Sequence, residues 1–162
     1  MEPTKELSNG PLHAFATWPN AAVPRIAIGC YSIWRDEQLV YVGVAGRALD
    51  PAKVATLRQK KGRPRGLYDR LKSHASGRRS GDQFCVYVCD RLVLPTLDES
   101  AISSIAIAEL ALDSVTRNFI RDHLAYRFTE TTSYRDALEL ERAIQRGALP
   151  AGPPMLNPLP AA

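Results

Sequence analysis

The chain has 162 residues, of which 45% are hydrophobic and 23% are charged, and its net charge is +4. These values are typical of one globular domain with a sizeable core. No apolar run approaches the roughly 20 residues that span a bilayer, and the first six residues lack the pattern of a secretory signal. The three cysteines form no CxxC or Cys/His cluster. We therefore expect a reduced, cytoplasmic protein without a zinc site or a membrane partner.

An N-terminal arm over residues 1–24 and a β-hairpin are the first predicted elements. Ile26–Trp34 and Leu39–Val44 have the β-branched and aromatic content of strands. The polar break Arg35–Gln38 between them has the length of a hairpin loop. The two strands are therefore expected to be antiparallel neighbours.

This hairpin carries one tyrosine on each strand, close to a glycine. Tyr31 follows Gly29 by two positions, and Tyr41 precedes Gly43 by two positions. The hairpin can bring both phenols together beside backbone that a large ligand could approach closely. The alternative is that the two rings form a simple packing pair. Tyr41 is expected to face away from the three valines of its strand, Val40, Val42 and Val44.

The rest of the chain predicts an α+β layout in one domain over residues 25–158, followed by a short tail over 159–162. Residues 91–112 have no clear pattern. The predicted elements, in order, are a short helix around Asp50–Gln59, a helix over Leu67–Ser76, a strand over Phe84–Cys89, a helix over Ser114–Leu124, a strand over Ala125–Thr129 and a helix from Ser133 to Arg146.

Basic residues are concentrated between Lys53 and Arg79, where ten of the 21 cations face the single acid Asp69. A solvated face is one explanation, but this asymmetry favours a polyanionic partner, because basic clusters gain affinity by releasing counterions from phosphates. The cations expected to contact nucleic acid are Lys60, Lys61, Arg63, Arg65, Lys72, Arg78 and Arg79.

The helix that begins at Leu67 places Arg70 and His74 on the apolar stripe that includes Leu67 and Leu71. The two polar side chains are therefore expected to project together from the buried side. A structural histidine with satisfied hydrogen bonds and a cation at the core edge are the alternative explanation.

The last helix places a carboxylate, Glu141, on its apolar face beside Leu140 and Ile144. Glu139 lies on the opposite face, where cationic neighbours such as Arg135 explain it as a surface residue. A carboxylate on a buried face is costly unless it meets a cation, a proton or a metal. Glu141 is therefore a candidate ligand for magnesium, which prefers oxygen ligands.

Arg70 with His74, the basic insertion before them and the strand entry Gly81–Phe84 after them look most like the restriction-endonuclease branch of the GIY-YIG endonuclease superfamily. Five motifs in order carry the resemblance to the superfamily as a whole. They are Gly29-Cys30-Tyr31, Tyr41-Val42-Gly43, Arg70 with His74 four residues later, Glu141 within Leu140–Ile144, and Asn157 within Pro154–Pro158. The resemblance implies a small sheet of three antiparallel strands flanked by helices, with helical and basic-loop insertions. It also implies that six side chains surround one Mg²⁺ or Mn²⁺ ion: Tyr31, Tyr41, Arg70, His74, Glu141 and Asn157.

The activity implied by the resemblance is metal-dependent hydrolysis of DNA phosphodiester bonds, in a stand-alone restriction-type enzyme. Glu141 would hold the metal, Arg70 would stabilise transition-state charge, and Tyr31 or Tyr41 would orient and deprotonate water. Val44 stands where many members carry lysine, so the identity of the general base stays open. His74 could share the proton.

The remaining expectations concern the tail, the oligomeric state and other functions. Asn157 is expected to fix the tail or a tyrosine by hydrogen bonding. Ala101–Ala108 is apolar and is the candidate interface of a homodimer, with burial in the monomer core as the alternative. The alternative functions are a non-catalytic nucleic-acid-binding module and a structure-specific nicking nuclease of repair or recombination.

Overall fold

The structure, a computed structural model, describes residues 2–160 and has mixed α+β architecture. Seven α-helices lie within these residues: α1 (Pro3–Asn9), α2 (Pro51–Gln59), α3 (Leu67–Ser76), α4 (Gln83–Val88), α5 (Glu99–Ala106), α6 (Leu112–His123) and α7 (Tyr134–Gln145). The strands are β1 (His13–Ala14), β2 (Ile26–Ala27), β3 (Gly29–Arg35), β4 (Gln38–Ala45), β5 (Arg65–Gly66) and β6 (Ala125–Glu130). None of the helices within residues 2–160 has the length and apolar content to cross a bilayer.

The main sheet is antiparallel and has the strand order β1-β6-β3-β4. Its three long strands are β6, β3 and β4, and the two-residue β1 adds a fourth at one edge. The expectation of three strands therefore omitted β1. A separate parallel pair, β2 with β5, joins the lead-in of the hairpin to the start of α3.

The β3–β4 hairpin contains a bulge that the alternation rule did not anticipate. Ile33 pairs with Tyr41 and Trp34 pairs with Leu39, so Val40 is an extra residue between these pairs. Val40 packs in the cluster on the side of Ile33 and Tyr41. The expectation that Val40 faces away from Tyr41 is therefore wrong. The inserted residue breaks the regular alternation of side chains between the two faces of the strand.

Helices cover both faces of the main sheet. On one face, Leu71 of α3 and Phe84 of α4 pack with Tyr31 of β3. On the other, Leu7 of α1 and Ile144 of α7 pack with strand residues of β3 and β4. Because β4 is an edge strand, side chains from α3 and α7 can approach each other only around this edge.

The segment predicted as an N-terminal arm is part of the core. Leu7 and Phe15 are fully buried, and Trp18 is nearly so. The main-chain oxygen of Leu7 also accepts a hydrogen bond from the Ser32 hydroxyl at 2.7 Å. The apolar side chains along this proline-containing segment are spaced irregularly and give little periodic signal, although Leu7, Phe15 and Trp18 each fill a place in the core. Met1 of the predicted arm and the last two residues of the predicted tail lie outside the described residues.

Residues 84–89 are helical, so the strand predicted there is wrong. Asp82 caps α4 by accepting a hydrogen bond from the Cys85 amide at 3.3 Å. Phe84, Cys85 and Val88 are buried at the spacing of a helix face. The β-branched and aromatic content suggested a strand, but packing and the cap determine the local structure. The predictions of α2, α3, α6, β6 and α7 are confirmed within a few residues at each end.

Candidate active site

A buried hydrogen bond joins Tyr31 of the hairpin to His74 of α3. The Tyr31 Oη and His74 Nε2 atoms are 2.7 Å apart, and the two residues are only 1% and 2% exposed. His74 reaches the sheet because it lies one helical turn from Leu71, which anchors the same face of α3 in the core. The predicted buried position of His74 and its closeness to the hairpin are confirmed.

Asp82 holds the other ring nitrogen of His74. Its Oδ2 atom is 2.8 Å from His74 Nδ1 and accepts a second hydrogen bond from the Ser73 hydroxyl at 2.7 Å. Burial alone would raise the pKa of the Asp82 carboxyl, but the His74 and Ser73 hydrogen bonds lower it to about 2. Asp82 is therefore an ionised acceptor, and His74 Nδ1 carries the proton that it donates.

These bonds define the proton positions along the Tyr31–His74–Asp82 chain. Burial, only partly offset by Asp82, lowers the pKa of His74, so its ring is neutral near pH 7. Since Nδ1 carries the single ring proton, Nε2 is an acceptor. The Tyr31 hydroxyl therefore donates to His74.

Tyr41 lies against this chain and completes an aromatic cluster. The Tyr31 and Tyr41 ring centroids are 6.4 Å apart, and Tyr41 contacts His74 edge-on at 6.1 Å. A Cβ atom on Gly43 would overlap the Tyr31 hydroxyl and crowd the Tyr41 ring. The glycine of the second tyrosine motif therefore leaves the space through which Tyr31 reaches His74.

Both tyrosines are protonated in this arrangement. Burial, followed by the nearby Tyr41, raises the pKa of Tyr31 well above its ordinary value. Burial and the charge of Glu141 raise the pKa of Tyr41. The positive charge of Arg70 opposes both increases without reversing them. Neither phenol is a base in its resting state, so a tyrosine that deprotonates water must pass its own proton onward.

Arg70 is the cation of this region. Its side chain is exposed, so the expectation that Arg70 projects with His74 from the buried side of α3 is wrong for Arg70. Within residues 2–160 the Arg70 side chain makes no hydrogen bond or ion pair. Its charge nevertheless acts on Tyr31, Tyr41 and His74. The guanidinium therefore lies within electrostatic range of the phenols, with all its donors available to a ligand.

Glu141 approaches the same edge from α7. The predicted helix faces are confirmed: Ala137 and Ile144 are buried, Glu141 is half-buried, and Glu139 is exposed in an ion pair with Arg135 at 3.0 Å. Burial raises the pKa of Glu141, and the only opposing influence is the adjacent residue Arg142. Within residues 2–160, the Glu141 carboxylate makes no hydrogen bond or ion pair.

The position of Glu141 follows from the groups that its charge affects. Burial raises the pKa of Cys30, and Glu141 raises it further. Glu141 acts on Tyr41 in the same way. Cys30 and Tyr41 belong to the two strands of the hairpin and to opposite faces of the sheet. The Glu141 carboxylate therefore lies near the hairpin, within electrostatic range of Tyr41, whose pKa Arg70 also affects.

Asn157 fixes the tail to the free edge of β4. Its Nδ2 donates to the Val42 carbonyl at 2.7 Å, and its Oδ1 accepts from the Val42 amide at 3.2 Å. The amides of Met155 and Leu156 bond to the carbonyls of Leu39 and Val40. The prediction that Asn157 holds the tail is confirmed. The tail covers backbone groups that an edge strand would otherwise expose.

The cations predicted to contact nucleic acid fall into two groups. Within residues 2–160, the side chains of six form no hydrogen bond or ion pair: Lys60, Lys61, Arg63, Arg65, Lys72 and Arg78. All six are exposed. Arg79 differs, since its Nε atom is 2.7 Å from Asp113 and it is only half-exposed. Arg79 therefore stabilises the contact with α6 and is a weaker candidate.

Sequence reasoning missed Asp82 and Ser73. Asp82 stands two residues before Phe84, and a strand prediction for that segment concealed its role as a helix cap. Recognition of aspartate as a preferred cap would have given α4 its correct start. The contact with His74 had no sequence signal, because it depends on how α3 and α4 pack together.

The donor atoms of His74, Asp82 and Cys85 lie within 4.8 Å of one another, as metal ligands would. However, His74 and Asp82 bond directly, and the Cys85 thiol donates to the His74 carbonyl oxygen at 3.6 Å. The three groups satisfy one another without an ion. Glu141 is the better candidate for a hard cation, because its oxygens have no protein donor within the described chain.

Comparisons with protein-family models, with curated proteins and with solved structures find no match for this chain. The chemistry of the site therefore has to follow from the positions of its own side chains.

Proposed function

We propose that this protein is a metal-dependent endonuclease that hydrolyses DNA phosphodiester bonds, as the resemblance to GIY-YIG endonucleases implies. The observation that carries the proposal is the buried Tyr31–His74 hydrogen bond, next to a second phenol, Tyr41, on which the charges of Arg70 and Glu141 both act. Hydrolysis of a phosphodiester needs a nucleophile, a proton acceptor and positive charge at one point. These residues supply a water-positioning group, a proton acceptor and a cation.

Each residue has a role that its environment supports. Tyr31, which is buried, gives its proton to His74 as it takes one from the attacking water, and the more exposed Tyr41 positions that water. Arg70 presents unoccupied donors to the phosphate, where a fixed fork of N–H groups stabilises the charge that develops on the non-bridging oxygens. Tyr41 aligns the water or the phosphate between Arg70 and Glu141. Asn157 secures the tail through both polar atoms of its side-chain amide.

A Mg²⁺ or Mn²⁺ ion fits the donor chemistry of Glu141. The carboxylate is half-buried, burial raises its pKa, and it lacks a protein donor within residues 2–160. A bound cation would offset the cost of keeping that charge away from water. When bound, the ion would stabilise negative charge on the phosphate and on the leaving oxygen. Magnesium retains several waters, so one protein carboxylate is sufficient.

The exposed cations beside β5 fit a nucleic-acid backbone. Lys61 and Arg58 line a cleft of about 590 Å³ together with Arg25, and the walls include Pro24 and Ile26. Arg58 is tied to Glu130 at 2.7 Å, whereas Lys61 is unpaired within the described chain. Such a surface supplies sequence-independent phosphate contacts. We propose DNA as the partner and the cytoplasm as the location.

The decisive experiment is incubation of unmethylated genomic DNA and supercoiled plasmid with the protein in Mg²⁺, in Mn²⁺ and in EDTA. Genomic DNA contains every short recognition sequence many times, so the target need not be known. We expect cleavage with either ion and none in EDTA. Binding of DNA without cleavage under all three conditions would contradict the nuclease proposal and favour a non-catalytic binding module.

A further inference from the structure

We propose that Asp82 is a positioning residue that keeps His74 in the tautomer able to receive the Tyr31 proton. This inference rests on the proposed nuclease function for its kinetic consequence, but not for its structural content. It assigns a role to a residue outside the five motifs that identify the site. The role depends on the two oxygens of the Asp82 carboxylate, which accept hydrogen bonds from different groups.

The two oxygens of Asp82 are not equivalent. Oδ1 accepts the Cys85 amide at 3.3 Å, and this bond caps α4. Oδ2 accepts from His74 Nδ1 at 2.8 Å and from the Ser73 hydroxyl at 2.7 Å. The cap fixes the orientation of the carboxylate, and Ser73 fixes the second oxygen. The side chain is therefore held in place on both sides, and Asp82 is 3% exposed.

This orientation determines which nitrogen of His74 carries the proton. An ionised carboxylate can only accept, so Nδ1 must donate to Oδ2, and Nε2 is left as the acceptor facing Tyr31. The distance from Nε2 to the Tyr31 oxygen is 2.7 Å, which needs no rearrangement for proton transfer. With the opposite tautomer, the unprotonated Nδ1 would face Oδ2 of Asp82, and two acceptors would oppose each other with no proton between them.

The proton transfer conserves atoms and charge at each step. The attacking water gives a proton to the Tyr31 oxygen while the Tyr31 proton passes to His74 Nε2. The water oxygen bonds to phosphorus, and the bond from phosphorus to the departing 3′ oxygen breaks. The imidazolium that forms is stabilised by Asp82, against the opposing effects of burial and Arg70. It later returns a proton to solvent or to the departing oxygen.

Asp82→Asn is the most direct test, because the helix cap determines the orientation of the asparagine side-chain amide. Its carbonyl oxygen is required at the Cys85 amide, so its NH₂ group faces His74 Nδ1. His74 Nδ1 must then accept, the proton moves to Nε2, and Tyr31 loses its acceptor. We expect the DNA dissociation constant to be unchanged and the single-turnover cleavage rate to fall by about 10²–10⁴-fold.

Asp98→Asn is the matched control. Asp98 caps α5 by accepting from the Ala101 amide at 2.8 Å, and it has no histidine partner. It undergoes the same chemical change at the same structural position and should keep the wild-type rate. Tyr31→Phe supplies a second control, since adding Asp82→Asn to that variant should slow it little further if both residues act through His74.

The ¹⁵N chemical shifts of His74 test the inference without any assay of activity. The wild-type ring should be protonated at Nδ1 and the Asp82→Asn ring at Nε2. A wild-type ring protonated at Nε2 would overturn the inference even if the variant fails to fold. A wild-type cleavage rate in Asp82→Asn, or a slower rate without a change of tautomer, would also overturn it. If wild-type protein cleaves no DNA, the proposed function fails, while the chemical shifts still decide the tautomer.

Discussion

Two carboxylates that approach the hairpin from opposite faces of the sheet differ in almost every physical respect. Asp82, beside α3, accepts three hydrogen bonds, and its pKa is lowered to about 2. Glu141, on α7, accepts none within residues 2–160, and burial raises its pKa. A buried charge with a full set of donors is part of the scaffold, whereas one without donors is costly and free to bind.

The contrast separates positioning from ligand binding. The Asp82 side of the site is complete, because every polar atom in the Tyr31–His74–Asp82 chain has a protein partner. The Glu141 carboxylate and the Arg70 guanidinium, in contrast, have no protein partner within residues 2–160. A metal ion with a phosphate would satisfy both, so a substrate complex should change the Glu141 side far more than the Asp82 side.

Removing the unpartnered carboxylate should have the largest effect. Glu141→Gln should reduce cleavage by at least about 10³-fold, because metal stabilisation of phosphate charge provides several kcal/mol. DNA binding and folding should persist, since a neutral amide costs less to bury than a charge. Glu139→Gln, two residues away on the exposed face, should retain cleavage. Equal loss in both variants would refute the assignment by helix face.

Removing the unpaired cation should have the next largest effect. Arg70→Ala should lower the single-turnover rate by about 10²–10³-fold, as expected for removal of one donor to a developing oxyanion. The rate should not recover in Arg70→Lys, because a single ammonium lacks the fork of donors. Lys72→Ala, an exposed cation on the same helix, should change only binding. Full activity of Arg70→Lys would show that charge alone matters there.

The features that could be predicted from the sequence are those that depend on local periodicity, as in α3 and α7. Helix faces at 3.6-residue spacing correctly placed His74 and Glu141 on buried sides, and the capping pattern correctly started α7 at Tyr134. The hairpin followed from its strand composition and polar break. These features are local, so the sequence within about ten residues determines them.

Features that depend on packing between distant segments were missed. The strand prediction for 84–89 failed because a helix cap and core contacts outweighed β propensity. The bulge at Val40 shifts the strand register and moves the Val40 side chain to the other face of the sheet, and nothing in the amino-acid composition indicates it. Asp82 meets His74 only because α4 follows α3 at the correct angle. The N-terminal helix joins the core through single apolar residues such as Leu7.

The exposed basic segment, Lys60, Lys61, Arg63 and Arg65, should affect affinity and leave the reaction rate unchanged. Replacing all four with alanine should reduce the slope of log affinity against log salt by about 0.9 for each phosphate that is no longer bound. The cleavage rate at saturating DNA should be unchanged. The charge-matched control replaces four exposed cations outside this segment: Lys5, Arg117, Arg135 and Arg146. A similar decrease of slope in the control would show that binding is not localised to the basic segment.

Asp82 and Glu141 should make contributions of opposite pH dependence to the free energy of unfolding. The pKa of Asp82 falls from 3.8 to about 2 on folding, which corresponds to about 2 kcal/mol of unfolding free energy, shared with His74. This stabilisation is present above about pH 5 and is lost as pH falls through about 2. Glu141, whose pKa is raised by folding, contributes stability that is present at low pH and is lost as pH rises.

Chemical denaturation of three proteins between pH 7 and pH 2 checks these signs, because the Asp82 contribution is lost between its unfolded pKa of 3.8 and its folded pKa of about 2. The stability advantage of wild type over Asp82→Asn should shrink on acidification. Wild type should gain stability relative to Glu141→Gln over the same range. Parallel curves for both variants would mean that the two carboxylates have similar environments, contrary to the contrast drawn from their hydrogen bonds.

Helix α5 gives the smallest predicted effect, on how cleavage products form. Ile102 and Ile107 are 55% and 66% exposed, and α5 buries no residue within the monomer. The alternative that the Ala101–Ala108 stretch fills the core is therefore wrong, and a homodimer on DNA remains our proposal. Replacing both isoleucines with serine should leave nicking intact but increase the ratio of nicked to linear plasmid. Sedimentation of the variant as a wild-type-like dimer on DNA would exclude α5 as the interface.

Mn²⁺ binding is the strictest test of Glu141 as the metal ligand, because it reports on the ligand and not on the rate. Electron paramagnetic resonance should be used to titrate Mn²⁺ into wild type, Glu139→Gln and Glu141→Gln, each with duplex DNA under conditions that prevent turnover. Wild type and Glu139→Gln should bind one ion per chain with equal affinity, and Glu141→Gln should lose that site. Retention of full Mn²⁺ affinity by Glu141→Gln would refute the assignment of Glu141 as the metal ligand.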